Sequence, residues 1–171
     1  MLACVGHRDP EEPLSMSDLL SLPSERRIFI GYSHKDRRWL EHLTTMLEPL
    51  RRSAQLTTWV DSQILAGEDW LIEIQRVLSS AKVAVLLVTP HFLASNFIIK
   101  HELPPLLDAA EKKGLTILWI AVSASLYDET LIAKYKALNN PARPLDTLSS
   151  AERNQVLVKI CQQIKACVYS V

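Results

Sequence analysis

The chain has no excess of either charge, no long apolar run and no paired cysteine motif, and each absence removes a class of function. Lys and Arg number 19, as do Asp and Glu, so no net field draws in nucleic acid or an anionic membrane, whatever local patches exist. No stretch approaches the ~20 apolar residues that span a bilayer, and the opening MLACV is too short for the apolar region of a signal peptide. A soluble, cytoplasmic protein with neither a nucleic-acid nor a membrane partner is expected. The three cysteines, Cys4, Cys161 and Cys167, sit at the two chain ends without a CxxC pair, which suits free thiols in a reducing compartment. Cys4 and His7 have ligand-like spacing, but a zinc site takes about four ligands and no second pair stands nearby. They read as two residues of a tail.

The nucleotide fingerprints are also missing. Gly31 follows the first apolar run, but there is no GxGxxG and no GxxxxGK[ST], which argues against dinucleotide redox chemistry and NTP hydrolysis. No G-x-S-x-G elbow accompanies the serines.

What remains is ordinary globular composition, 48% hydrophobic and 22% charged over 171 residues, enough for one domain with a sizeable core. Residues 1–25 carry Pro10, Pro13 and Pro23 among acidic and small residues and read as a tail or linker. From residue 26 to 171 the pattern is that of a folded domain. The run RIFIGY (27–32) is a strand, followed by Trp39, Leu40, Leu43, Met46, Leu47 and Leu50 at helical spacing. QLTTWVD (55–61) is a second strand, and Leu71, Ile74, Val77, Leu78 and Ala81 mark a second helix. KVAVLLVT (82–89) is apolar almost throughout, as expected of a central parallel strand covered on both faces.

Residues 91–114 read as a loop and helix ended by Gly114, in which Pro104 and Pro105 either kink the helix or start a new segment. LTILWIAV (115–122) is a fourth strand. Residues 123–147 read as irregular, with no clear fifth strand, and Ser149 with Glu152 forms a capping box before a last helix. The alternation predicts an α/β fold, a flavodoxin-like three-layer sandwich with a central parallel sheet of four to five strands and helices on both faces. In such sheets ligands bind beyond the carboxyl ends of the strands.

Several residues near those strand ends invite a chemical reading. Ser33 and His34 are adjacent and so rarely aim at each other, while Asp36 is placed to cap the next helix, so a Ser-His-Asp hydrolase is disfavoured. His34, His91 and His101 lack carboxylates at metal-ligand spacing and read as solvated, with no metal expected. Trp59, Trp70 and Phe97 read as packing residues. Glu102 differs: in FIIKHEL (97–103) a carboxylate is set where the pattern asks for burial. Such a Glu is ordinarily solvated, but a partly buried one is a candidate catalytic group.

The order of these motifs resembles that of a TIR (Toll/interleukin-1 receptor) domain of the bacterial kind. IFIGYSHKD (28–36) is similar to the family's first strand and its (F/I)ISY motif. WVDSQILAGEDWLIEIQRVLSSA (59–81) is similar to the second strand, the BB loop and the helix after it. VAVLLVTPHFLASNFIIKHEL (83–103) is similar to the third strand and the segment carrying the family's glutamate.

The resemblance implies an NAD+ glycohydrolase or ADP-ribosyl cyclase that cleaves the nicotinamide-ribose bond, with NAD+ as substrate, no separate cofactor, and Glu102 as the catalytic residue. It further implies that Tyr32, Ser33 and His34 line the pocket floor, that Asp61, Ile64, Gly67 and Trp70 belong to a loop closing over NAD+, and that Phe97 and Ile98 border the ligand. Ile98 stands where many enzymatic members have Trp. Activation by self-association with other TIR domains, a fused or separate sensor or effector domain, and a role in bacterial antiviral defence or signalling follow from the same resemblance. A non-catalytic TIR interaction module is the alternative, and a nucleoside-processing enzyme of related fold a third reading.

Overall fold

The structure is a computed structural model, and it describes residues 27–53, 56–60 and 70–170. Its centre is a parallel sheet of five strands in the order β2-β1-β3-β4-β5: β1 Arg27–Gly31, β2 Thr57–Val60, β3 Val83–Val88, β4 Thr116–Ala121 and β5 Lys136–Ala137. Between them run helices α1 Arg37–Arg52, α2 Trp70–Ser80, α3 Pro90–Ala94 and α4 Leu103–Lys113, and α5 Ser150–Tyr169 closes the chain. This is the flavodoxin-like strand order, in which β1 is the first strand laid down and the chain then builds outward on both sides of it.

The strand pattern explains the layers. Every residue of β1 and β3 is buried, as the uninterrupted apolar runs require of strands covered on both faces. Alternation then sorts side chains by face. Ile28, Ile30 and Tyr32 join Val83, Val85 and Leu87 beneath α1 and α5, where Leu43, Leu47, Ile160 and Ile164 complete one core. Phe29 joins Ala84, Leu86 and Val88 on the other face, packed by Ile74 of α2, Phe92 of α3 and Leu106 of α4. The segment of Glu102 belongs to this second face.

β5 is the element that pattern alone does not reveal. It has only two residues, paired at Leu118↔Lys136 and Trp119↔Ala137. The pairing continues past it: the Leu138 backbone N–H donates to the Trp119 carbonyl at 2.8 Å, and then the Asn139 side-chain amide takes over from the backbone. Its Oδ1 accepts from the Ala121 N–H at 2.8 Å and its Nδ2 donates to the Ala121 carbonyl at 3.0 Å. One amide side chain thereby satisfies both polar groups of a strand residue, so a longer hydrophobic run is not needed at this edge.

The ends of the helices follow their sequence signals. Gly114 takes the left-handed conformation, φ 71°, that ends α4, and Leu115 returns its N–H to the Ala109 carbonyl. At α5 the capping box is complete, with the Ser149 hydroxyl accepting from the Glu152 N–H and the Glu152 carboxylate accepting from the Ser149 N–H. Among the described residues no helix is long and apolar enough to cross a membrane.

Candidate functional site

Because β2 and β3 flank β1 on opposite sides, the chain leaves the carboxyl ends of β1 and β3 in opposite directions, and a crevice opens between them. The β1 side of it is Tyr32-Ser33-His34. The β3 side is Thr89 and the segment that leads through α3 to Glu102. α4 then runs back toward the start of β4, which keeps its first residues at this same edge.

The three residues after β1 are placed very differently. Ser33 is buried and extended, φ −80° and ψ 133°, and its hydroxyl does not cap the turn that follows. His34 is exposed, with its ring 5.5 Å from that of Tyr32. Tyr32 is only 2% exposed and packs into the core beneath α1 and α5, on the sheet face opposite Glu102. Its even-numbered position in the strand alternation decides this, so Tyr32 underpins the loop from behind.

Glu102 is 1% exposed. It ends a single wide turn, Ile98–Glu102, closed by the Leu103 N–H donating to the Ile98 carbonyl, and this π-helical geometry is one that recurs at functional sites. Of the turn's residues, Ile98 and Glu102 point inward while Ile99, Lys100 and His101 face outward. Phe97, just before it, is 45% exposed, and its ring lies 5.4 Å from that of His101. Pro104 and Pro105 open α4 directly after this turn, and since Phe97, Glu102 and Leu103 all keep right-handed helical backbone, the missing N–H groups are accommodated by the wide turn within one helical stretch rather than by a break. The Glu102 carboxylate is not used as the cap of α4. It lies on the same buried segment as the apolar Ile98 and Leu103, and in such surroundings a positive charge brought to it gains more than it would in water.

Between these two sides stands an interaction that sequence reading missed. Asp36 does not cap α1; its Oδ2 accepts from the Thr89 hydroxyl at 2.5 Å, across 53 residues of chain. Spacing in sequence carries no signal for such a link. The expected loop residues Asp61, Ile64 and Gly67 lie outside the described residues, as does the side chain of Trp70, whose backbone begins α2. A groove of about 690 Å³ opens beyond β3 and β4, lined by Pro90, Leu93, Ala94, Ala124, Ser125 and Leu126, but neither Ser33 nor Glu102 lines it.

A doubly wound parallel sheet in this strand order defines a flavodoxin-like α/β domain. The family model for the TIR domain matches residues 28–157, and the chain belongs to that family. Among curated proteins, the uncharacterized protein y4lF of Sinorhizobium fredii (strain NBRC 101917 / NGR234) is 25% identical over 118 residues. That match takes in 69% of this chain and 36% of the relative, so the chain spans about a third of that protein's length. Among solved structures, the TIR domains of the activated Roq1 resistosome directly recognizing the pathogen effector XopQ align over 80% of this chain and 84% of theirs, with 18% identity and a TM-score of 0.48.

Proposed function

We propose that this TIR domain cleaves NAD+ at the nicotinamide-ribose bond, with Glu102 as the catalytic group. The observation that carries the reading is the burial of one carboxylate, 1% exposed, at the carboxyl edge of the sheet on the segment that follows β3.

The chemistry suits a single acid. Glycosidases generally employ two carboxylates, because a poor leaving group must be protonated while the sugar develops oxocarbenium character. The nicotinamide of NAD+ is already a pyridinium, so when its bond to ribose C1′ breaks, the electron pair returns to the ring nitrogen and neutral nicotinamide departs. No general acid is required. The positive charge that grows on the ribose is then met by the Glu102 carboxylate, in surroundings from which Ile98 and Leu103 exclude water. Attack on C1′ by water, with loss of its proton, gives ADP-ribose; attack by an adenine nitrogen gives a cyclic isomer. Ser33 supplies a hydroxyl at the opposite lip, and Asp61, Ile64, Gly67 and Trp70 are assigned to a closing loop.

Exposed Phe97 just before the Glu102 turn and Ile99 within it, 45% and 42% accessible, favour contact with a second TIR domain. Self-association therefore belongs to both readings, catalytic and non-catalytic, and a fused or separate sensor or effector domain accompanies either. The cellular setting, bacterial antiviral defence or signalling in the cytoplasm, rests on family resemblance. The test is chromatography of NAD+ incubated with concentrated protein. Nicotinamide is expected to appear together with ADP-ribose or its cyclic isomer. NAD+ that survives at every protein concentration contradicts catalysis and leaves the interaction module.

A further inference from the structure

A relay of hydrogen bonds, buried at its Asp36–Thr89 end, joins the loop after β1 to the turn that carries Glu102. Thr89 donates its hydroxyl to Asp36 Oδ2 at 2.5 Å, and the Thr89 Oγ1 itself accepts the Phe92 N–H at 3.0 Å, capping α3. Where α3 ends, Ser95 continues the chain of contacts: its Oγ accepts the Ile98 N–H at 3.4 Å and its carbonyl accepts the Ile99 N–H at 3.0 Å. The Ile98 carbonyl in turn accepts from the Leu103 N–H, closing the turn that carries Glu102.

Two features set this relay apart from ordinary packing. Asp36 is 8% exposed and Thr89 1%, and among the described residues Asp36 makes no ion pair. A buried carboxylate is a costly way to stabilise a fold that apolar side chains would fill as well. In addition, α3 has five residues, too few to hold its own geometry, and only Ser95, Asn96 and Phe97 separate it from the wide turn.

We propose that Asp36 and Thr89 are positioning residues for Glu102: they fix α3 to the first loop, and so hold the turn that presents the catalytic carboxylate. This rests on the NAD+-cleaving reading above, and the test separates the two. Thr89→Val keeps the shape and removes the hydroxyl, Thr89→Ser keeps the hydroxyl, and Asp36→Asn keeps a carbonyl acceptor. Native-state amide exchange by NMR is measured beside kcat and KM for NAD+.

In Thr89→Val the amides of Phe92 and of Ile98–Leu103 are expected to exchange about tenfold faster while those of β1 and β4 stay unchanged. The same variant is expected to lose about a hundredfold in kcat with KM little altered, the pattern of a misplaced catalytic group. Thr89→Ser is expected to restore both, and Asp36→Asn to fall between. Unchanged exchange at Ile98–Leu103 in Thr89→Val overturns the proposal, as does a kcat loss that Thr89→Ser fails to recover. Should Thr89→Val not fold, Asp36→Asn decides by the same two readouts against Thr89→Ser. Should the native protein leave NAD+ intact, the catalytic reading fails and amide exchange alone decides the tether.

Discussion

Leu103 donates its N–H to the carbonyl of Ile98, five residues back, and the wide turn closed by this bond carries Glu102 at its end with the side chain turned inward beside Ile98. The prolines at 104 and 105 follow at once and lack the donors that would continue an ordinary helix back through Lys100 and His101. The local sequence thus widens the helix by one residue just ahead of the prolines, at the residue assigned to the chemistry.

Gly31 ends β1 on the face that Glu102 shares, opposite Leu86 in the parallel register. A Cβ there meets Leu86 Cδ2 at 2.9 Å and the Phe29 ring at 3.2 Å, and both neighbours are fully packed. Gly31→Ala is expected to destabilise by about 1–3 kcal/mol, through overpacking. Urea unfolding checks this, and the cost of Gly31→Ala is expected to shrink when Leu86 is also cut to Ala. An equal cost in both backgrounds contradicts the steric account.

Burial pushes the Cys161 thiol up to about 11, so it stays protonated near neutral pH and lacks the thiolate that reacts. Alkylation of Cys161, followed by peptide mass spectrometry, is expected only at the rate at which the whole domain unfolds. Modification in the native state, unaffected by mild denaturant, runs against this packing.

The capping box gives a pH dependence with a defined sign. The Ser149 hydroxyl and then its backbone N–H, with Arg143 beyond them, hold the Glu152 carboxyl below its ordinary value. A carboxyl depressed by folding contributes stability that is present above its unfolded pKa of about 4.3 and is lost as pH falls through the folded value. Ser149→Ala removes the largest cause. Its stability deficit relative to the native chain is expected to be largest near neutrality and to narrow below about pH 4. A deficit that does not vary with pH would mean that the Ser149 contribution is pure backbone capping.

Much of this molecule is legible in its sequence, for physical reasons that differ by element. The runs at 27–32 and 82–89 announce β1 and β3, because a strand buried on both faces must be apolar throughout. The Ser149 and Glu152 pair marks the start of α5, because local capping chemistry is written in adjacent residues. β5 was not legible, because Asn139 does with a side chain what a strand does with its backbone. At the candidate site, the apolar residues around Glu102 mark it as unusual, but by pattern such a Glu is ordinarily solvated and only the family resemblance singles it out; the wide turn is not legible either, since FIIKHEL suits an α-helix equally well. Tyr32 shows the limit of a motif: it adjoins Ser33 in sequence, yet alternation sends it into the opposite core. Asp36 shows another, for a residue placed to cap α1 is engaged by Thr89 instead.

The central claim is that the buried carboxylate of Glu102 performs NAD+ cleavage. Its most direct test compares the native chain with Glu102→Gln, which keeps size and shape but removes the charge, by following NAD+ and its products chromatographically at high protein concentration. The native protein is expected to release nicotinamide and Glu102→Gln to release none, with unchanged circular dichroism and thermal midpoint showing that both are folded. NAD+ cleavage by a folded Glu102→Gln at the native rate would contradict the assignment.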